Sequence, residues 1–137
     1  MSDSTPIGSS DPWPVVLHIE DNASNRRLVE FVAAQFPGIR LVESDTGAGG
    51  IELARALRPA LVLLDLRLPD ISGEQVLHRL LTDPATAALR VVVISAEARP
   101  VEATRLVAAG ADAYLVKPID VTQLREIFEA IVTTSNA

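Results

Sequence analysis

The chain has 137 residues, which is the length of a single domain. Hydrophobic residues make up 48% of the chain and aromatic residues 4%, so it can bury a core that is mainly aliphatic. The formal net charge of −6 argues against a general nucleic-acid-binding surface, and the absence of cysteine excludes disulfides and thiolate metal sites.

The first 13 residues, MSDSTPIGSSDPW, form a polar, proline-containing stretch that predicts a flexible tail. This stretch has neither the basic start nor the apolar core of a secretory signal. No apolar run approaches the roughly 18 residues that a membrane-spanning helix needs. We therefore expect a cytoplasmic protein with no membrane partner, a folded domain over residues 14–134 and a short tail at 135–137.

Short β-branched apolar runs alternate with helical patterns along the rest of the chain. The apolar runs predict buried strands at 15–19, 39–43, 61–65, 91–95 and 113–116. Apolar residues at helical spacing predict five helices, marked by Leu28, Phe31, Val32 and Phe36, by Leu53, Ala54 and Leu57, by Val76, Leu77, Leu80 and Leu81, by Ala103, Leu106 and Val107, and by Leu124, Ile127, Phe128 and Ile131. Glycine or proline follows the first, second and fourth of these helices, as is typical of helix ends.

This (βα)5 order predicts an α/β fold. A parallel sheet of this kind is covered by helices on both faces, and its crossovers are right-handed. For five strands the doubly wound order 2-1-3-4-5 is the natural arrangement.

Polar residues stand at the carboxyl ends of four of the predicted strands. Glu20 and Asp21 follow the first strand, Asp65 ends the third, Ser95 ends the fourth, and Lys117 follows the fifth. These four strands are neighbours in the order 2-1-3-4-5, and open α/β sheets bind ligands at the switch point between strands 1 and 3. The sequence therefore predicts that these side chains converge on one spot.

Three carboxylates close together repel one another unless cations intervene. Lys117 can neutralise one charge, and the remainder suits Mg²⁺, which prefers oxygen ligands and is typically held by one or two carboxylates plus phosphate oxygens. The lack of cysteine and the presence of only two histidines argue against zinc.

Each of these residues also has a structural interpretation of its own. Residues 20–22 are of the types that cap helix N-termini, and Asp65 could cap a helix or a loop. Ser95 alone could be a structural hydroxyl, and Lys117 alone a surface lysine. Their convergence at one edge of the sheet favours a shared site.

The sequence resembles the receiver domain of two-component response regulators, the family typified by the chemotaxis regulator. The resemblance covers roughly residues 14–134 and rests on VVLHIEDN at 15–22, LVLLDLRLPDISG at 61–73, VVVISA at 91–96 and GADAYLVKPID at 110–120. It implies a flavodoxin-like doubly wound sandwich that works as a phosphorylatable signalling switch rather than as an enzyme.

The resemblance also implies a role for each residue. Asp65 would accept a phosphoryl group, and Lys117 would pair with it and then with the phosphoryl oxygens. Glu20, Asp21, Asp65 and the backbone carbonyl of Arg67 would hold Mg²⁺, or Mn²⁺ in its place.

Two further positions match the family's conformational switch. Ser95 would hydrogen-bond a phosphoryl oxygen, and the ring of Tyr114 would swing inward when this hydroxyl moves. The bond between Lys117 and Pro118 is usually cis in the family.

The implied partner is a histidine kinase or a histidine phosphotransfer protein, with no direct nucleic-acid binding. On the first helix, Asn22, Asn25, Arg26 and Val29 can reach a docking surface near the pocket. The run EDNASNRRLVE resembles receivers of hybrid histidine kinases, and a homodimer through the fourth and fifth helices is common in the family.

Other functions stay open at this point. Arg67 and Glu97 are hypothesised to pair across the pocket mouth and slow water attack on the phosphate, or else are two solvated charges. A pseudo-receiver would keep the fold without phosphorylation. A haloacid dehalogenase-type phosphatase would need an acid at position 67, where this chain has arginine.

Overall fold

The computed structural model describes residues 13–96 and 99–136, in which five strands alternate with five helices. The strands are β1 (Val15–Ile19), β2 (Arg40–Ser44), β3 (Leu61–Asp65), β4 (Val91–Ser95) and β5 (Ala113–Val116). The helices are α1 (Ala23–Ala33), α2 (Gly47–Leu57), α3 (Gly73–Thr82), α4 (Pro100–Ala108) and α5 (Val121–Asn136).

The strands form one parallel sheet in the order β2-β1-β3-β4-β5, which confirms the predicted doubly wound topology. Every residue of β1, β3 and β4 is buried, as predicted. Such strands are apolar throughout because helices cover both faces of the sheet. The same prediction of burial was wrong for β2 and β5, which lie at the edges of the sheet and bury only Ser44 and Leu115.

Alternate residues of the central strands feed two separate cores. Leu61 and Leu63 of β3 pack on the side of α1 and α5, whereas Val62 and Leu64 pack on the side of α2, α3 and α4. This alternation follows from the two-residue period of a strand. As a result, β3 is held from both sides along its length, up to the point where Asp65 ends it.

Close packing of α2 on β1 depends on glycine. A Cβ atom added to Gly50 would lie 2.4 Å from Cδ1 of the buried Ile19, far inside van der Waals contact. The side chain of Thr46 caps α2 by accepting the backbone N–H of Gly49 at 3.0 Å. Therefore the glycine run at 47–50 brings α2 close to the strand that carries Glu20 into the site.

Two sequence-predicted boundaries differ from the structure. β2 begins at Arg40, one residue later than predicted, because the N–H of Ile39 closes a turn onto the carbonyl of Phe36 at 2.9 Å. α1 ends at Ala33, so Phe36 lies beyond the helix and packs edge-to-face on Phe128 with ring centroids 5.8 Å apart.

Two residues of α1 lie on the opposite side from the one predicted. Phe31 is 65% exposed, although its spacing placed it in the apolar stripe, and Val29 is completely buried, although it was expected to reach a docking surface. Val29 and Val32 form the buried stripe with a three-residue spacing. Leu28 and Phe36 pack against the same core, as predicted, so the error in the apolar stripe is confined to Phe31.

The predicted N-terminal tail lies outside the described residues apart from Trp13, and α5 continues to Asn136. The limits of the domain therefore stay a prediction. Among the helices of the described ranges, none combines the length and apolar character required to cross a bilayer.

Candidate functional site

The acidic residues expected at the switch point meet at the carboxyl edge of the sheet. Glu20 follows β1 and is completely buried, while Asp21 beside it is exposed. Asp65 ends β3 and is only 3% exposed. One oxygen from each of the three carboxylates can be chosen so that all three lie within 4.8 Å of one another.

Lys117 joins this group from the end of β5. Its Nζ atom lies 3.0 Å from Oε1 of Glu20 and 3.1 Å from Oδ1 of Asp65. The peptide bond between Lys117 and Pro118 is cis, as the resemblance implied. Lys117 is the only lysine in the chain, and its ammonium group bridges the two buried carboxylates.

Backbone and side-chain hydrogen bonds fix Glu20 in place. Its N–H donates to the carbonyl of Ser44 at 2.9 Å, and its carbonyl accepts Nη1 of Arg26 at 2.9 Å. Its carboxylate accepts the N–H of Asn22 at 3.2 Å. Both ends of the residue are therefore anchored before any ligand binds.

The capping interpretation applies to Asn22 rather than to the acids. The side chain of Asn22 caps α1 by accepting the N–H of Asn25 at 2.9 Å. Glu20 and Asp65 instead direct carboxylate oxygens to Lys117. Asn22 is therefore a helix cap, whereas Glu20 and Asp65 belong to a charged cluster.

The charges in the cluster shift pKa values in the direction expected of crowded carboxylates. Burial, and after it the negative charge of Asp65, raises the pKa of Glu20, while Lys117 acts against this shift. Burial lowers the pKa of Lys117, but its interactions with Glu20 and Asp65 outweigh burial and raise it overall. The cluster holds three carboxylates and one ammonium group, so the negative charges outnumber the positive one.

The donor set fits a hard divalent cation. Glu20, Asp21 and Asp65 offer only carboxylate oxygens, and the single exposed member leaves a side of the cluster open to solvent. Oxygen ligands and retained water are what Mg²⁺ favours. His18, at the end of β1, is completely buried, and burial followed by the charges of Lys117 and Arg26 lowers its pKa to about 3, as expected for a neutral core residue rather than a ligand.

The loop after β3 folds back tightly over the end of the strand. A Cβ atom added to Gly73 would lie 2.3 Å from the carbonyl oxygen of Asp65, so a side chain at this position is excluded by the backbone. The N–H of Gly73 donates to the carbonyl of Leu66 at 2.9 Å and closes the loop. Ser72 then starts α3 with a capping box to Gln75. Asp65 is therefore not the cap of this helix.

Ser95 and Tyr114 lie on the same face of the sheet. Ser95 ends β4 and is 4% exposed, and its carbonyl accepts the N–H of Lys117 at 2.8 Å. Tyr114 pairs in register with Val93, two residues before Ser95, and packs partly buried against the core under α2, α3 and α4. The hydroxyl and the ring are thus on the same face of neighbouring strands.

The predicted roles of Arg67 and Glu97 stay untested. Arg67 is exposed in the loop after β3, and the role of its carbonyl stays a prediction. Glu97 lies outside the described residues, so its pairing with Arg67 stays a hypothesis. Asp70, which none of the sequence motifs marks as a site residue, accepts hydrogen bonds from the backbone N–H groups of Gly47 and Ala48. No local sequence signal announces this contact, because the partners are 22 and 23 residues away.

Comparison with known proteins gives one consistent result. Residues 16–129 match the family model of the response regulator receiver domain. The polar-differentiation response regulator DivK of Brucella anthropi is 30% identical over 115 residues, which cover 84% of this chain and 93% of DivK.

Solved structures agree with this match. The signal receiver domain of the DNA binding response regulator protein merR from Colwellia psychrerythraea has a TM-score of 0.79 at 27% identity, covering 87% of this chain and 98% of that one. The phosphorylated cyanobacterial phytochrome response regulator RcpA has a TM-score of 0.73 at 25% identity, covering 91% and 95% of the two chains.

Proposed function

Because the chain belongs to the response regulator receiver domain family, whose members are signalling switches, we propose that it takes a phosphoryl group from a phosphohistidine donor onto Asp65. The observation that carries this proposal is the position of Asp65, with Lys117 Nζ 3.1 Å from its carboxylate and two further acids beside it. A buried acid with a cation and a cluster of metal-ligating oxygens is what phosphoryl transfer to a carboxylate requires.

In the proposed reaction an oxygen of the Asp65 carboxylate attacks the phosphorus atom of the phosphohistidine. A P–O bond forms, the P–N bond breaks, and its electron pair returns to the imidazole nitrogen of the donor. The product is an aspartyl phosphate. Because β3 is buried along its length, Asp65 is held rigidly for in-line attack, which matters more in this chemistry than covalent assistance.

Lys117 supports the transfer electrostatically. Its ammonium group already lies beside Asp65 and can follow the negative charge onto the new phosphoryl oxygens. Glu20 shares the same ammonium group, so Lys117 stays anchored when Asp65 is modified.

The residues that would hold Mg²⁺ or Mn²⁺ are Glu20, Asp21, Asp65 and the backbone carbonyl of Arg67. When bound, the ion supplies positive charge that neutralises the transferring phosphoryl group. Glu20 is fixed by hydrogen bonds at both its backbone and its carboxylate, so that it presents its oxygens without reorganisation.

Ser95 and Tyr114 form the proposed conformational switch. The hydroxyl of Ser95 binds a phosphoryl oxygen on Asp65, and the ring of Tyr114 moves inward as the end of β4 shifts. Their placement on one face of neighbouring strands supports this coupling. The new hydrogen bond would shift the population between two arrangements of the chain after β4.

The proposed partner is a histidine kinase or a histidine phosphotransfer protein that docks over the carboxyl edge of the sheet. Asp21 and Asn22 are exposed at this edge, and Phe31 adds exposed apolar surface on α1. Val29 is excluded from this surface because it is buried.

The central test is Mg²⁺-dependent phosphorylation by a small donor. We expect the wild-type protein to gain one phosphoryl group, measured by mass spectrometry, from acetyl phosphate with Mg²⁺ and none with EDTA. Asp65→Asn should gain nothing under either condition. Asp112→Asn is a control for the same acid-to-amide change away from the cluster, because the carboxylate of Asp112 accepts the N–H of Val91, at 2.7 Å, at the amino end of β4.

A phosphoryl gain that survives Asp65→Asn, or that does not depend on Mg²⁺, would contradict the proposal. If the gain requires both Mg²⁺ and Asp65, a panel of phosphorylated histidine kinases and phosphotransfer proteins then identifies the physiological donor by its transfer rate.

A further inference from the structure

Asp70 joins two parts of the molecule that are distant in sequence. Its Oδ1 atom accepts the backbone N–H of Gly47 and its Oδ2 atom accepts that of Ala48, both at 2.8 Å. Asp70 belongs to the β3–α3 loop, residues 66–72, and its partners are the first two residues of α2. The carboxylate thus uses both oxygens to hold the loop against a helix.

This contact is additional to the ordinary cap of α2. Thr46 already occupies the N-cap position and accepts the N–H of Gly49. Asp70 satisfies two further N–H groups at the same helix end, where a negative charge is favoured. The hydrogen bonds from Ala48 and Gly47 lower the pKa of Asp70 to about 2, so the carboxylate is ionised at every pH near neutrality.

The packing around the contact requires glycine on the helix side. A Cβ atom added to Gly47 would lie 2.6 Å from Cγ1 of Ile71, the residue next to Asp70. The β3–α3 loop is therefore fixed at two points. Gly73 holds it against the backbone of Asp65, and Asp70 with Ile71 holds it against α2.

The helix that receives the loop is itself fixed on β1. Gly50 of α2 approaches Ile19 so closely that no Cβ atom fits between them. Ile19 immediately precedes Glu20 and Asp21. Asp70 therefore links the loop that contains Arg67 to the strand that carries the other acids of the proposed metal site.

We propose that Asp70 is a positioning residue for the divalent cation, because it sets the distance between the carbonyl of Arg67 in the β3–α3 loop and the carboxylates that follow β1. This inference rests on the proposed function, since it assigns a determinant of cation binding at the same site. Residues that orient metal ligands from outside typically change metal affinity by about ten- to a hundredfold when they are removed. Asp70 orients a single backbone ligand, so the lower end of this range applies.

The test compares two ways of weakening the same helix end. Asp70→Ala removes the link to the loop, whereas Thr46→Ala removes the ordinary cap of α2 and leaves the loop attached. Mg²⁺ affinity is measured by isothermal titration calorimetry well below the melting temperature, and thermal unfolding in EDTA reports the structural cost of each substitution.

We expect the Kd for Mg²⁺ to rise about tenfold in Asp70→Ala and to stay at the wild-type value in Thr46→Ala, although both variants melt earlier. Phosphorylation by acetyl phosphate should return to the wild-type rate in Asp70→Ala at saturating Mg²⁺, because the substitution leaves Asp65 and Lys117 unchanged. If Asp70→Ala does not fold, Asp70→Asn, which keeps one accepting oxygen, provides the same comparison with a smaller rise in Kd.

An unchanged Kd in the Asp70 variant, or an equal rise in Thr46→Ala, would overturn the inference. The proposed function is judged separately by the wild-type protein. Mg²⁺ binding without a phosphoryl gain on Asp65 would overturn the function and leave the role of Asp70 in cation binding standing.

Discussion

Replacing Lys117 by methionine tests the charge balance on which the site depends. The substitution keeps most of the apolar stem and removes the ammonium group that lies 3.0 Å from Glu20 and 3.1 Å from Asp65. It leaves two buried carboxylates side by side with no cation between them. We expect the variant to be markedly less stable than the wild type in EDTA at neutral pH.

The size of the effect follows from the geometry. At an effective dielectric constant of about 20, one ion pair at such a distance is worth roughly 5 kcal/mol before desolvation is counted. Removing one partner of a buried pair typically costs about 3–5 kcal/mol. The lower end, about 3 kcal/mol, applies here, because Lys117 is 19% exposed and a proton can relieve the remaining repulsion.

The loss of stability in Lys117→Met should depend on pH. Burial and the charge of Asp65 already raise the pKa of Glu20, and loss of Lys117 removes the interaction that opposes this shift. A carboxyl group whose pKa is higher in the folded state binds more protons there, so the stability of the variant should recover as the pH falls toward 4.5, the ordinary value for glutamate. Glu20→Gln added to Lys117→Met should restore much of the loss at neutral pH.

The assay is urea unfolding in EDTA, with Arg125→Met as a matched control. Arg125 is an exposed cation on α5, so its loss changes the net charge equally without touching the cluster. Since Lys117 is the only lysine, its titration can also be followed as a single side-chain NMR signal. Equal unfolding midpoints for the two variants would refute the claim that Lys117 neutralises the buried carboxylates.

Three further outcomes are expected. Asp65→Asn should raise stability in EDTA by about 1 kcal/mol, measured by urea unfolding, because Lys117 then pairs with Glu20 alone and the repulsion between the two buried carboxylates is removed. Burial, and then the hydrogen bond and charge of Glu30, raises the pKa of Glu43 to about 7, so wild-type stability should fall as the pH rises from 4.5 through 7, and Glu43→Gln should flatten this profile. Gly50→Ala should destabilise the fold by about 1–3 kcal/mol in thermal melts, since it forces α2 away from β1, whereas Gly38→Ala meets nothing within 4 Å and should be nearly neutral.

The residues of the cluster could be inferred from sequence because each stands where a strand ends. Asp65 follows four apolar residues of β3, and Lys117 follows β5. Once the alternation of strands and helices fixes the order β2-β1-β3-β4-β5, the carboxyl ends of β1, β3 and β5 must share one edge. The pattern therefore predicts proximity without any knowledge of distances.

The end of α1 was predicted too late, and the reason lies in how helices end. Sequence spacing extends an apolar stripe until a breaker appears, and Pro37 is the first one after Phe31. The structure ends α1 four residues earlier, at Ala33, where the chain turns so that Phe36 can pack on Phe128 of α5. The position of this turn depends on a contact with α5, which a local sequence pattern does not contain.

By itself the sequence determined the order of elements and the chemical types at the edge of the sheet, because hydrophobic periodicity and strand-end polarity are local patterns. Only the tertiary structure decided that one ammonium group bridges both buried acids and that Asp70 joins the β3–α3 loop to α2. These contacts join residues more than 20 positions apart, and the contact of Asp70 also depends on how closely Gly47 lets α2 approach the side chain of Ile71. Such distances are set by the packing of the whole domain.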